Sequence, residues 1–174
     1  DPALIAGADR LPGLRFGTWV GGDRDGHPLV TAAVTRATLA ELRSQALQLA
    51  REQLQELAAH VSLSERLQTP PASFLARIAE TATMLGDAGT AALKRNPKEP
   101  WRQWVNLMLA RLPGDVSAIA TQYQHAGELD DDLGTLTRAL AEVGARRIAD
   151  QAVQPIIRSV RTFGFHLAAL DIRQ

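Results

Sequence analysis

The sequence predicts a mainly α-helical protein in which long helices join two strands, and three observations carry that expectation. Apolar residues recur at three- to five-residue intervals through most of the chain from Thr31 to Val160, the spacing of a buried helix face. Phe16, Trp19 and Val20 form an aromatic and β-branched cluster that runs into Gly21-Gly22, and they read as a buried strand ending at Val20. A second apolar run, Thr162 to Ile172 (TFGFHLAALDI), reads as another buried strand leading to Arg173. A strand needs a partner, and no other strand candidate lies between these two. Two strands that far apart, linked by helices, have the connectivity of a large α/β or barrel protein from which neighbouring strands are missing.

Length and composition bound the rest. A chain of 174 residues has enough material for one domain that buries roughly 70% of its unfolded surface. We therefore treat residues 1–174 as a single domain, and a partial one. Hydrophobic residues make up 45%, and 19 basic side chains face 19 acidic ones. That balance disfavours disorder and a general affinity for nucleic acid. With no cysteine, a disulfide or thiolate site is impossible, and any metal would be held by oxygen or histidine. No apolar run approaches the ~20 residues that span a bilayer. No signal-peptide pattern precedes the first strand, so no membrane partner and a cytoplasmic location are expected. The first residue is Asp1 instead of Met, which suggests that the natural N-terminus lies elsewhere or has been removed.

In chain order, Asp1 to Leu14 carries Pro2, Pro12, Gly7 and Gly13 without a sustained period and reads as a lead-in. Thr31 suits an N-cap. Val34, Leu39, Leu42, Ala46, Leu49, Leu54 and Leu57 then define a long amphipathic helix through His60. Such a rod would be roughly 45 Å long, against a diameter near 40 Å for a compact chain of this size. The helix therefore protrudes or belongs to a larger body. Thr69-Pro70-Pro71 precedes a second helix over Ala72 to Leu85, with Phe74, Leu75, Ile78 and Leu85 on its apolar face. Gly86 to Pro97 reads mostly as loop, with Lys94 and Arg95 solvated. Pro100 opens a helix whose apolar side is Trp101, Trp104, Val105, Met108, Leu109 and Leu112, the two indoles serving as core.

Pro113-Gly114 breaks the chain, Asp115 can cap, and Val116, Ile119, Ala120 and Tyr123 suggest a short helix. From Glu128 the series Leu129, Leu133, Leu136, Leu140, Val143 alternates four and three. Asp130, Asp131 and Asp132 are expected in its first turn, complementing the helix dipole. Successive helical residues diverge by about 100°, so three in a row do not converge on one ion. Gly144 marks a stop. Val153, Ile156, Ile157 and Val160 define a last helix that tolerates Pro155 only in its first turn.

The chemistry-bearing stretch is Arg15 to Val30, RFGTWVGGDRDGHPLV. Asp23, Arg24 and Asp25 follow Gly21-Gly22, and Gly26, His27 and Pro28 close the turn. The trio either neutralises itself or, with the glycine N–H groups, faces an anion. A calcium loop fails on spacing, because Gly26 comes at position four where position six is needed and Val34 stands where glutamate should. His27, His60, His125 and His166 lie on four separate segments, so no metal cluster is expected, and His166 is expected in the core or facing a barrel.

Two segments carry a family resemblance. FGTWVGGDRDGHPLVTAAVTR at Phe16 to Arg36 and RTFGFHLAALDIRQ at Arg161 to Gln174 resemble the strand–loop–helix and the later LDIRQ strand of phosphoenolpyruvate carboxylase of the bacterial and plant kind. EPWRQWVNLMLARL and the ARRIAD segment fall between them in the right order. The sequence departs from the family pattern at His27, where asparagine is expected, and at Val20, where methionine is common. The resemblance implies a fragment of that family's large α/β-barrel fold, with a phosphoenolpyruvate site at the C-terminal ends of barrel strands. Trp19 matches the tryptophan bordering the substrate's methylene group, and Arg173 matches an arginine that holds its phosphate. Arg24 and Gly22 are lesser candidates for ligand contact. Gly21, Asp23 and Asp25 are expected to shape the loop, the trio orienting it through ion pairs.

The implied reaction joins phosphoenolpyruvate and bicarbonate into oxaloacetate and phosphate. The full enzyme is expected to use magnesium or manganese and to be a homo-oligomer, whereas this segment is expected to bind no metal. The family's upstream histidine segment, glycine-arginine loops, lysine loop and metal-binding carboxylates have no counterpart between Asp1 and Gln174, so the chain alone is expected not to turn over. The competing expectation is a non-catalytic helical binding module that keeps the carboxylase scaffold. A domain swap or helical dimer is a further expectation for the isolated chain, because faces that meet a missing barrel are apolar.

Overall fold

In the computed structural model the described residues are 14–25, 28–114 and 120–172. Within them the chain runs β1 (Gly17–Thr18), α1 (Ala32–His60), α2 (Ala72–Leu85), α3 (Asp87–Arg95), α4 (Pro100–Arg111), α5 (Ala126–Glu142), α6 (Arg146–Ile148), a π-helical turn (Ala149–Val153), α7 (Gln154–Phe163) and β2 (Ala169–Leu170). The described structure is therefore mainly helical, with two short strands. The lead-in up to Gly13, Gly26 and His27, residues 115–119 of the short helix expected to run on to Tyr123, and Arg173 all lie outside the described residues; Ala120 and Thr121 form a single 3₁₀ turn.

β1 and β2 are parallel partners, with Gly17 opposite Ala169 and Thr18 opposite Leu170. The Ala169 N–H donates to Phe16 O and the Asp171 N–H donates to Thr18 O, both at 2.8 Å. Both strands are shorter than the sequence suggests. The run read as a strand from Thr162 begins as the last turn of α7. Gly164 adopts φ +55° and Leu167 φ +61°. The Leu167 N–H closes a turn onto Phe163 O at 2.8 Å. Phe165 is thereby turned into the helical core beside Tyr123. His166 is exposed and outside that core.

Thr31 caps α1 by accepting a hydrogen bond from the Val34 N–H at 3.4 Å. The helix buries Ala46, Ala50, Leu54 and Leu57, all in its C-terminal half. Of the N-terminal half, Thr35 is buried, whereas Val34 and Leu39 are exposed. α2 buries Phe74, Ile78, Thr81 and Ala82, and Leu75, expected on that face, is exposed.

The region read as loop after Gly86 is instead a helix. Gly86 makes a single sharp break at φ +58°. Gly89 lets α3 lie against the Ala82 backbone, where a Cβ would collide with the carbonyl oxygen. Here the glycines serve a bend and a close helix contact, and the segment between them stays helical.

α4 is the central helix. Pro100 opens it, and Trp101, Trp104, Val105, Asn106, Leu107 and Met108 are all buried. Phe74 of α2 packs on both indoles, with ring centroids 6.1 and 5.8 Å away. The Asn106 amide donates to Ala92 O at 3.1 Å and Gln103 to Leu93 O at 3.0 Å, tying α4 to α3.

α5 buries Leu129, Leu133, Leu136 and Leu140. It begins two residues earlier than its leucine pattern suggests, because His125 and Glu128 form a reciprocal capping box. Asp130 to Asp132 therefore fall beyond the first turn, and Glu128 alone is acidic there. The three aspartates go to different places. Asp130 pairs with Arg161 at 2.9 Å, Asp131 is exposed, and Asp132 is 3% exposed within the core. Pro155 stands in the first turn of α7, immediately after the π turn.

Candidate functional site

The glycine-rich loop is built from its backbone outward. The N–H groups of Gly22 and Asp23 both donate to Trp19 O, at 2.9 and 3.0 Å, and fold the chain into a tight turn directly after β1. Gly21 takes φ +80°, and a Cβ there would collide with the Thr38 hydroxyl. A Cβ on Gly22 would collide with Asp171 O just past β2. The paired glycines thus let the turn fit between the first turns of α1 and the C-terminal end of β2. Thr35 locks it from the helix side, its hydroxyl donating to Gly21 O at 2.8 Å.

The charged trio behaves differently from its sequence-based expectation. Among the described residues no ion pair forms within it; Asp23 accepts instead from the Asp25 N–H at 3.0 Å, an Asx turn. Arg24 and Asp25 are exposed.

The parallel register sets Trp19 and Asp171 side by side at the C-terminal ends of their strands. Gly17, Thr18, Trp19 and Asp171 line a hollow of about 280 Å³, and the Trp19 side of it is open, that residue being 58% exposed. Trp19, Gly21, Gly22, Asp23 and Asp25 are therefore brought to one end of the two-stranded sheet, whereas Arg173 lies outside the described residues. A second cleft of about 450 Å³ lies near the strands' N-terminal ends. Its lining includes Arg15, Phe16, Asp130, Arg161 and His166, with Phe16 stacked on Phe163 at 5.4 Å.

One cluster was not anticipated from the sequence. The Asp132 carboxylate accepts from Arg111 at 2.5 Å and from the Tyr123 hydroxyl at 2.8 Å, with Arg77 at 4.0 Å. The Arg111 guanidinium also covers the Tyr123 ring at 4.2 Å. The Trp104 N–H donates to Asp132 O at 3.0 Å. Burial pushes the Asp132 carboxyl up, against the downward pull of Tyr123 and Arg111. Burial and the Asp132 charge hold the Tyr123 phenol well above its ordinary value, so it stays protonated and donating. The available sequence signal is Asp132 beside the Leu129–Leu133–Leu136 seam, where a carboxylate needs a buried partner.

Among the described residues no group of three or more carboxylate, imidazole or thiol side chains converges to hold a metal ion. No helix there is long and apolar enough to cross a membrane.

The family model for phosphoenolpyruvate carboxylase matches residues 6–174. A phosphoenolpyruvate carboxylase of Methylorubrum extorquens is 35% identical over 169 residues, covering 94% of this chain and 18% of the relative. That of Aromatoleum aromaticum is 36% identical over 186 aligned residues, covering 100% of the chain and 19% of the relative. That of Xanthomonas euvesicatoria is 36% identical over 161 residues, covering 92% and 18%. The chain thus spans under a fifth of the length of these curated relatives. With its two anchor segments paired in one sheet and its whole middle matched, the chain belongs to the phosphoenolpyruvate carboxylase family, corresponding to one segment of its members.

Proposed function

We propose that this chain supplies one wall of the phosphoenolpyruvate pocket in a carboxylase that forms oxaloacetate and phosphate from phosphoenolpyruvate and bicarbonate in the cytoplasm. The observation that supports it is the hollow shared by Trp19 and Asp171 at the C-terminal ends of two parallel strands, where α/β proteins bind their ligands. Trp19 presents an indole to the substrate's methylene end and keeps water from the enolate formed when the phosphoryl group leaves. Arg173, two residues beyond Asp171, offers a planar fork to the phosphate, each charge-assisted bond contributing roughly 1.5–3 kcal/mol. Gly22 keeps the turn close to β2, and Arg24 is a secondary candidate for anion contact. Magnesium or manganese would supply charge stabilisation for the enolate. The described residues do not form a ligand set for such an ion, so no step is assigned to it through this chain.

In a full-length carboxylase carrying this segment, Arg173→Ala raises the Michaelis constant for phosphoenolpyruvate at least tenfold, about 1.4 kcal/mol; an unchanged constant removes Arg173 from the phosphate site. The isolated chain, supplied with magnesium, phosphoenolpyruvate and bicarbonate, is expected to give no detectable oxaloacetate. Measurable turnover would overturn its reading as one wall of a larger site.

A further inference from the structure

We propose that Thr35 is a positioning residue of the substrate pocket, acting on Trp19 through the glycine turn. Four observations support it. Thr35 is 9% exposed on the mostly exposed N-terminal half of α1. Its hydroxyl has one proton and two acceptors in reach, Gly21 O at 2.8 Å and its own helix's Thr31 O at 3.2 Å, and the shorter bond leaves the helix for the turn. The same turn then holds Trp19 O through the N–H groups of Gly22 and Asp23. Thr38, one turn further along α1, presses on Gly21 at the spot where any side chain would sit. The first turns of α1 therefore fix the backbone on which the indole stands, from a residue that itself does not line the hollow.

The proposal rests on Trp19 being a wall of the phosphoenolpyruvate pocket, and its chemical consequence concerns the enolate. An enolate shielded from water adds its methylene carbon to the carboxyl carbon delivered by carboxyphosphate, releasing phosphate and giving oxaloacetate. A turn no longer held by Thr35 lets the indole drift and admits water. The enolate then takes a proton at that carbon and leaves as pyruvate, while carboxyphosphate breaks down to carbon dioxide and phosphate.

The test is the ratio of pyruvate to oxaloacetate formed by a full-length carboxylase carrying this segment, read with the Michaelis constant for phosphoenolpyruvate. Thr35→Val, which keeps the shape and removes the hydroxyl, is expected to raise the pyruvate fraction about fivefold, as loss of one positioning hydrogen bond allows. Thr35→Ser restores the wild-type ratio. Thr35→Ala serves as a second removal variant should Thr35→Val fail to fold, with circular dichroism melting to monitor each. Trp19→Phe separates the two levels. If it raises the pyruvate fraction and neither Thr35→Val nor Thr35→Ala does, the role of Thr35 is overturned and the pocket reading stands; if none of them moves the ratio, both fall.

Discussion

Asp132 is the buried charge on which two neighbouring side chains of the helical core depend. Removing its side chain leaves the Arg111 guanidinium, only 12% exposed, without its carboxylate and frees the Tyr123 hydroxyl. Asp132→Ala is accordingly expected to cost about 3–5 kcal/mol in chemical denaturation. The pH dependence has a definite sign. Burial raises the folded-state value above the ordinary 3.8, so the folded form holds this proton more tightly than the unfolded chain does. The associated stability is fully present below the unfolded value and is lost as pH rises through the folded one. Asp132→Asn lacks that titration. Its deficit relative to the parent chain should therefore be smaller at about pH 7 than at about pH 4, measured by paired urea midpoints. The three tryptophans offer a second test. Trp101 and Trp104 are fully buried and Trp19 is exposed, so acrylamide quenching should show one accessible fraction that Trp19→Phe removes.

Among the elements, α5 shows how a cap decides where a helix begins. The Glu128 carboxylate accepts from the N–H groups of Gln124 at 2.5 Å and His125 at 3.3 Å. Burial pushes that carboxyl up, but the two N–H groups outweigh it and hold it below the ordinary 4.5. Its contribution is thus present above about 4.5 and is lost as pH falls through the lowered folded value. Glu128→Ala should cost about 1 kcal/mol at neutral pH by urea denaturation, and less in acid. Much of this architecture was legible in the sequence. The leucines of α5, the tryptophans of α4 and the threonine cap of α1 each obeyed a local rule of spacing or capping. The misread parts depend on contacts that local rules do not contain. α3 looked like loop because Gly86 and Gly89 are punctuation in isolation, and only the adjacent Ala82 backbone gives Gly89 its purpose. The strand drawn from Thr162 was too long because apolar alternation cannot distinguish a ladder from a helix end followed by a turn that buries Phe165. At the candidate site, the glycine pair was visible in the sequence; the clasp from Thr35 was not, because it joins residues whose proximity only the fold creates.

At the scale of the molecule, a continuous core built by α1 to α7 supports a two-stranded sheet at one side. Phe16, Trp19, Val20, Leu29, Val34 and Leu39 are exposed on the strand, the loop and the start of α1. Apolar exposure on this scale favours association. Light scattering on the isolated chain should show its mean mass rising with concentration, and a constant monomer mass would contradict that. The pairing of Gly17 with Ala169 has one more consequence, for biosynthesis. A ribosome adding about 5–20 residues per second needs on the order of ten to thirty seconds to pass from the first strand to the second. For most of that interval the nascent segment bearing Trp19 is outside the ribosome without the neighbour it will pair with, while helices made afterwards are already free to collapse. The indole end of the sheet is thus completed late, and until the second strand is made it stays open to chaperones and proteases.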